Sequence, residues 1–192
     1  AYAAFSNSGY YNEPYSFTKV TRIDTGETYE VKTSSRKAMG NDTAYMITNM
    51  LQDTASWALG QYSNVNGVKY AAKTGTTNFD EKQLEAKNLP ASAINDLWVA
   101  GYDSNYSIAV WYGYQTINKE DAANGYYTIM GNANHSRLFQ TVAKAIFSEA
   151  NFERPSNVIP VTVEWETLPA QLASEFTPSQ MRITELFKAG TE

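Results

Sequence analysis

Three stretches of alternating apolar and polar residues, at 69–77, 96–102 and 106–114, constrain this chain more than anything else in it. Period-2 alternation is the mark of a strand with two different faces. Only the turn Asp103-Ser104-Asn105 separates the last two, so they must return on each other as a hairpin. The later stretch is rich in Ile108, Val110 and Trp111, which suit a pleated, half-buried surface. An antiparallel meander is therefore expected. A helical pattern follows from about Ala133 to Ala150, in which Leu138, Val142 and Ala145, joined by Phe139 and Ile146, form the face expected to cover the sheet. The fold class expected is α+β, an antiparallel sheet with flanking helices.

The first of these strands also carries the most chemistry. Alternation puts Tyr70, Ala72, Thr74 and Thr76 on one face and Lys69, Ala71, Lys73, Gly75 and Thr77 on the other. A strand ending Lys73-Thr74-Gly75-Thr76-Thr77 offers one cation, several hydroxyls, backbone N–H groups and a glycine that another backbone or a ligand can approach closely. Such groups suit the holding of a carboxylate and an oxyanion. His135, the one histidine, falls near the first turn of the later helix and reads as a solvated or capping residue.

The absence of cysteine excludes thiolate nucleophiles, disulfides and cysteine metal sites, and a single histidine argues against a multi-histidine metal centre. No metal or other cofactor is expected. A net charge of −5 without a basic block makes nucleic acid an improbable partner. No stretch is long and apolar enough to span a bilayer, and no signal peptide is visible.

Ala1–Asn7 reads as the end of a helix already under way, which points to a piece cut from something longer. Ser16–Ile23 alternates as a strand, and Asp24-Thr25-Gly26-Glu27 turns it back through Thr28–Lys32. Asn41 or Asp42 can cap a helix running to about Leu59, with Ala44, Ile47, Leu51 and Thr54 as its apolar stripe and Met46 and Met50 as core filler. The polar, charged run Asn78–Ala93 with Pro90 reads as a long surface loop beside the strand of interest. Beyond Arg154-Pro155 the prolines at 160, 169 and 178 break long elements; Val158–Trp165 reads as a strand and Arg182–Lys188 as a short helix. The expected organisation is one body over residues 1–153 and a Pro-interrupted tail or linker over 154–192.

Four segments, in order, carry a family resemblance: Thr43-Ala44-Tyr45-Met46-Ile47-Thr48-Asn49-Met50-Leu51; Tyr70-Ala71-Ala72-Lys73-Thr74-Gly75-Thr76-Thr77-Asn78; Asn95-Asp96-Leu97-Trp98-Val99-Ala100-Gly101-Tyr102; and Ser107-Ile108-Ala109-Val110-Trp111-Tyr112-Gly113-Tyr114. Together they resemble the C-terminal half of the transpeptidase domain of bifunctional (class A) penicillin-binding proteins, over about residues 1–150. The resemblance implies a penicillin-binding, serine β-lactamase-like fold. It also implies peptidoglycan D,D-transpeptidase chemistry, in which a serine forms an acyl-enzyme with a stem peptide and β-lactams mimic that peptide. That chemistry uses Ser-x-x-Lys, Ser-x-Asn and Lys-[Ser/Thr]-Gly motifs, of which this chain carries only the last. Ser16-Phe17-Thr18-Lys19 and Ser34-Ser35-Arg36-Lys37 match the first motif literally but lie in a strand and a polar link, where they read as decoys. Tyr10-Tyr11-Asn12 and Tyr62-Ser63-Asn64 match a tyrosine variant of the second in the wrong place.

By resemblance, Lys73 supplies charge and helps proton transfer, and Thr74 and Thr76 hold the substrate carboxylate. Gly75 leaves room beside the helical layer, the Thr76 N–H completes an oxyanion hole, and Thr77 and Asn78 line the edge. Asp96 and Trp98 read as support for the neighbouring strand. The nucleophile would lie upstream of Ala1, so the piece alone would be inactive. The implied partners are stem peptides, β-lactams and the upstream half of the same protein, at the outer face of a bacterial membrane reached through an anchor outside this chain. The alternatives are a D,D-carboxypeptidase, β-lactamase or β-lactam sensor with the same site, or a non-catalytic wall- or glycan-binding module that uses the many tyrosines.

Overall fold

The computed structural model describes residues 1–148 and 151–191. In chain order the elements are α1 (Ala3–Ser6), β1 (Tyr10–Asn12), β2 (Lys19–Thr21), β3 (Thr28–Glu30), β4 (Ser35–Lys37), α2 (Asn41–Ala58), β5 (Ala71–Asn78), α3 (Glu81–Lys87), β6 (Ala93–Tyr102), β7 (Ser107–Gly113), α4 (Lys119–Ala123), β8 (Thr128–Ile129), α5 (Asn134–Ile146), β9 (Val158–Glu164) and β10 (Arg182–Lys188). They fall into two compact units, one of Ala3–Ile47 with Phe152–Glu192 and one of Thr48–Asn151.

The second unit is built on the expected meander. β5, β6 and β7 pair antiparallel in that order, and β8 adds a short pairing to the start of β6. One face of the sheet, including Ala72, Val99, Ile108 and Val110, packs on Phe139, Ala143 and Phe147. Gly101 is where the helix comes closest: a Cβ there would stand 2.5 Å from a Phe139 ring carbon and 3.1 Å from the Ala71 carbonyl oxygen. The Asp103 carboxylate is fully buried and accepts hydrogen bonds from the Asn105, Tyr106 and Ser148 N–H groups. It fixes the β6–β7 turn and ties it to the chain just past α5.

Two expectations about helices change. Within α5 the buried row is His135, Ser136, Phe139 and Ala143, while Leu138, Val142 and Ile146 stand 37–46% exposed and Ala145 is also exposed. The helix carries two adjoining apolar rows, and a 3.6-residue period cannot say which one the sheet takes. In α2 the buried positions are Asp42, Ala44, Thr48 and Ala55, with Leu59 buried just past its end and Met50 exposed and so not core filler. The Thr48 hydroxyl meets the buried Tyr102 hydroxyl at 2.9 Å.

The run 78–93 is not a loop throughout. Asp80 and Gln83 form a reciprocal capping box that starts α3, and Asn88 ends it in the left-handed conformation at φ 58°. Leu84 packs with Leu89, Ala93 and Ile117 in a small second core. That core holds the far end of β5 in place.

In the first unit, the pairs β1–β4, β2–β3 and β9–β10 are two-stranded. The strand expected over Ser16–Ile23 shrinks to Lys19–Thr21. Arg182–Lys188 is a strand rather than the expected helix: all seven residues pair with β9, from Arg182 opposite Glu164 to Lys188 opposite Val158. Ile183, Leu186 and Phe187 have helical spacing, but a partner strand decides the backbone. The Asp42 carboxylate meets Lys188 at 3.1 Å and accepts from Asn157 at 3.0 Å. Its pKa is held below the usual value, first by the Thr43 N–H and then by Lys188. Among the described residues no helix is long and apolar enough to cross a membrane.

Candidate active site

β5 is an edge strand. Among the described residues it pairs only with β6, Ala71 opposite Tyr102 through Asn78 opposite Ile94, with a register shift between Thr77 and Asn78. Every second backbone N–H and C=O along β5 therefore faces away from the sheet and can receive an extended partner. The strand enters this open stretch firmly held, since Ala71 and Ala72 are buried and the Tyr70 hydroxyl donates to the Ser63 carbonyl at 2.7 Å. Burial raises the Tyr70 pKa to about 12.

From Lys73 onward the strand opens to solvent. Lys73 is exposed and its Nζ donates to the Thr74 carbonyl at 2.9 Å. Gly75 is half-buried opposite Trp98, and a Cβ there would lie 3.5 Å from the Trp98 Cβ, an ordinary contact. The chain described here thus leaves Gly75 space that it does not itself fill. Thr76, Thr77 and Asn78 are exposed. Across the same face, Trp98 stands opposite Trp111 on β7, and the Asp96 carboxylate accepts from the Trp111 indole at 2.6 Å and from the Asn95 amide at 2.8 Å. Asp96 and Trp98 brace the neighbouring strand, as expected.

Thr74 and Thr76, on the other face, line a cleft of about 400 Å³. Trp57 and Tyr62 form an aromatic wall, and Asn132, just before α5, and His135 and Ser136, in its first turn, close it. His135 is neither solvated nor a cap. It is 9% exposed, because the row of α5 that faces the sheet begins with it. Burial lowers its pKa, and the Asn132 backbone opposes that shift more weakly. Its Nδ1 meets no partner in good hydrogen-bond geometry, and Nε2 lies 3.4 Å from the Ser136 hydroxyl. The cleft brings together two hydroxyls from a sheet edge and a buried imidazole from a helix start. Asn132 and Ser136 were invisible as site residues in the sequence, and Tyr62 was noticed only as part of a tyrosine-variant match set aside as misplaced, though it stands in the cleft wall; the other available signal was a solitary histidine opening an apolar helix.

The literal Ser-x-x-Lys strings do not form a nucleophile pair. Lys19 sits in β2 and Lys37 in β4, so neither serine has its lysine one helical turn away. The Ser34 hydroxyl instead donates to Glu13 at 2.7 Å, and Arg36 stacks 5.0 Å over the Tyr11 ring. Among the described residues no cluster of His, Cys, Asp and Glu could hold a metal.

The sequence profile of the penicillin binding protein transpeptidase domain matches residues 1–144. Penicillin-binding protein 1A/1B of Bacillus subtilis is 38% identical over 200 residues, covering 100% of this chain and 21% of that protein. Penicillin-binding protein 1A of Streptococcus pneumoniae is 38% identical over 116 residues, 59% of this chain and 16% of that protein. The chain thus spans about a fifth of the length of these relatives. Among solved structures, the penicillin-binding protein PonA1 from Mycobacterium tuberculosis superposes with a TM-score of 0.59 at 24% identity, covering 81% of this chain and 39% of that one, which speaks for the fold.

Proposed function

This chain belongs to the penicillin-binding protein transpeptidase family, and from that premise we propose that it carries the Lys-Thr-Gly half of a peptidoglycan D,D-transpeptidase site, the nucleophilic serine being supplied by polypeptide upstream of Ala1. The observation that carries this reading is an open strand edge with Lys73 exposed on it and Thr74 and Thr76 lining a cleft beside it. The exposed row Leu138–Val142–Ile146 and the exposed Trp98 and Trp111 support it too, because they are apolar surface suited to being covered by further chain. Residues 1–153 are assigned to the transpeptidase portion and 154–192 to a segment that follows it, in keeping with a family match that ends at residue 144. The bifunctional (class A) architecture and an anchored position outside the cytoplasm come from the resemblance.

In this mechanism the stem peptide lies along β5 as an added strand. The serine Oγ attacks the carbonyl between the two terminal D-alanines, the peptide C–N bond breaks, and the last D-alanine leaves with a proton on its amine. An amine from a second stem then attacks the ester and the serine oxygen is released. Lys73 supplies positive charge and assists proton transfer at the second serine. The Thr74 and Thr76 hydroxyls hold the terminal carboxylate, and the Thr76 N–H contributes to the oxyanion hole, a donor of the kind whose loss costs about 2.7–4 kcal/mol. Gly75 admits the helical layer that carries the serine, and Thr77 extends the edge that the peptide pairs with.

In the intact protein, Lys73→Ala is expected to slow acylation by a fluorescent penicillin by about 10²–10⁴-fold with the thermal midpoint unchanged. Labelling at the wild-type rate removes Lys73 from the chemistry. Release of the acyl group by an amine rather than by water separates a transpeptidase from a carboxypeptidase, a β-lactamase or a sensor. Tight glycan binding without any acylation would instead identify a wall-binding module.

A further inference from the structure

Two of the short strings that mimic the absent serine motifs, Tyr10-Tyr11-Asn12 and Ser34-Ser35-Arg36-Lys37, come together in the fold. Tyr11 stands opposite Arg36 in the β1–β4 ladder, and one step further the Glu13 N–H donates to the Ser34 carbonyl at 3.0 Å. Cross-strand partners share a face, so Tyr11, Glu13, Ser34 and Arg36 lie on one side of the ladder. Together with Ser35 they line a recess of about 230 Å³. That is below the roughly 300–1,000 Å³ of sites for drug-sized ligands, so it suits a small group. The recess holds one cation and one anion, each set in place by a neutral partner. The Arg36 guanidinium lies 5.0 Å over the Tyr11 ring, and Glu13 Oε2 accepts from the Ser34 hydroxyl at 2.7 Å. Neither charge is ion-paired among the described residues. Arg36 and Glu13 take diagonal positions of an antiparallel pair, about 7–8 Å apart. A small molecule can bridge that spacing with a hydrogen bond of about 2.9 Å at each end. The ladder is also anchored: the Gly9 carbonyl accepts from the Ala38 and Met39 N–H groups, and a Cβ on Gly9 would overlap the Met39 carbonyl oxygen.

We infer that this recess is a binding site for a zwitterionic α-amino acid, with Glu13 taking the ammonium and Arg36 the carboxylate. An α-amino acid carries both charges on one carbon and so meets both groups of the recess at once. A simple amine or a simple carboxylate meets one favourable charge and one repulsive one. D-Alanine is the amino acid that the proposed transpeptidase reaction sets free, and it is therefore the ligand assigned to the recess. That choice of ligand rests on the transpeptidase reading, whereas the charge pattern does not. Glu13 and Arg36 are both exposed, so each contact is weak, and a Kd of about 1–10 mM is expected. Such a site fills only where the released amino acid accumulates.

The test is a ligand-observed NMR titration of the intact protein with D-alanine, D-alaninamide and N-acetyl-D-alanine. D-Alanine should bind saturably, and each capped analogue, lacking one charge, should bind about five-fold more weakly. Glu13→Gln keeps an acceptor for the Ser34 hydroxyl and removes the charge. It should weaken D-alanine and D-alaninamide by about five-fold without weakening N-acetyl-D-alanine, which has no ammonium. Arg36→Gln should do the reverse, weakening D-alanine and N-acetyl-D-alanine but not D-alaninamide. A ladder that merely loosened would weaken all three ligands alike, and the Glu13 variant decides the matter even where Arg36→Gln fails to fold. Absence of saturable binding to the wild type, or equal losses for all three ligands, overturns the inference. So does binding that is lost in Lys73→Ala and kept in Glu13→Gln, which would place the amino acid in the cleft beside β5. Normal acylation of Lys73→Ala overturns the transpeptidase reading instead, so the two failures are distinct.

Discussion

The β5–β6–β7 sheet and the β2–β3 hairpin are both antiparallel ladders, yet they are held in different ways. In the sheet, pairing is backed by a closed apolar layer: Ala72, Val99 and Phe139 are at most 1% exposed. In the hairpin, Lys19, Val20 and Thr21 pair with Glu30, Tyr29 and Thr28, and all six are exposed. What holds its turn is local: Arg22 meets Asp24 at 3.0 Å and Glu27 at 3.3 Å on the surface. An isolated two-stranded ladder is marginal in water, whereas a ladder with a packed face is rigid. The groups that carry the proposed chemistry begin at the residue after two buried alanines, where the strand is already fixed. A site needs its groups held to a fraction of an ångström, and only the packed ladder can do that.

The contrast breaks most readily at Phe139. Phe139→Ala removes the ring that touches Gly101 and packs against Tyr70 and Phe147, and should destabilise the Thr48–Asn151 unit by about 3–5 kcal/mol in denaturant titration. A loss below 1 kcal/mol would mean that the sheet, like the hairpin, stands on its backbone pairing. Gly101→Ala approaches the same contact from the opposite side. Its new methyl must displace the ring or lift the helix, with an expected cost of about 1–3 kcal/mol and a slower acylation rate as β5 loses its alignment.

A gentler probe is pH. Burial keeps the folded-state pKa of His135 below its ordinary value of 6.5. The unfolded chain therefore takes up this proton first, so the stability that His135 contributes is present above about pH 6.5 and is lost as pH falls toward the folded-state value. Comparing unfolding midpoints of wild type and His135→Asn at pH 8 and pH 5.5 isolates this group, and the wild type should lose more on acidification. Equal losses would place the imidazole in solvent. No such dependence is expected from the β2–β3 hairpin, which holds no histidine.

How much of this was legible in the sequence follows the same division. The meander and the Lys-Thr-Gly edge were readable because period-2 alternation, a three-residue turn and a glycine after a lysine are local signals. The active row of α5 was not, because Leu138–Val142–Ile146 and Phe139–Ala143 are both apolar and only the sheet chooses between them. His135 was misread for the same reason: its burial follows from that choice. β10 has the spacing of a helix and becomes a strand because β9 is there to pair with it. The start of α3 was a missed local signal, Asp80 and Gln83 in capping-box spacing, obscured by the surrounding charges.

The smallest effect tests the other side of the comparison. Arg22→Ala removes both ion pairs of the β2–β3 turn, yet they are solvent-exposed, with 61% of the Arg22 side chain accessible. Water screens such pairs, and holding three long side chains in register costs conformational entropy, so the change in global stability should stay within about 0.5 kcal/mol. Salt should do the same as the mutation, since the pairs weaken as ionic strength rises. Hydrogen exchange at the Val31 and Gly26 amides, which donate to Thr18 and Arg22 carbonyls, would sharpen the result. These amides should exchange faster in the variant while those of β5 and β6 keep their protection, because the sheet's core residues all lie within the Thr48–Asn151 unit. A loss of protection in β6 would show that the two ladders are coupled, and the distinction between a locally held hairpin and a core-held sheet would have to be given up.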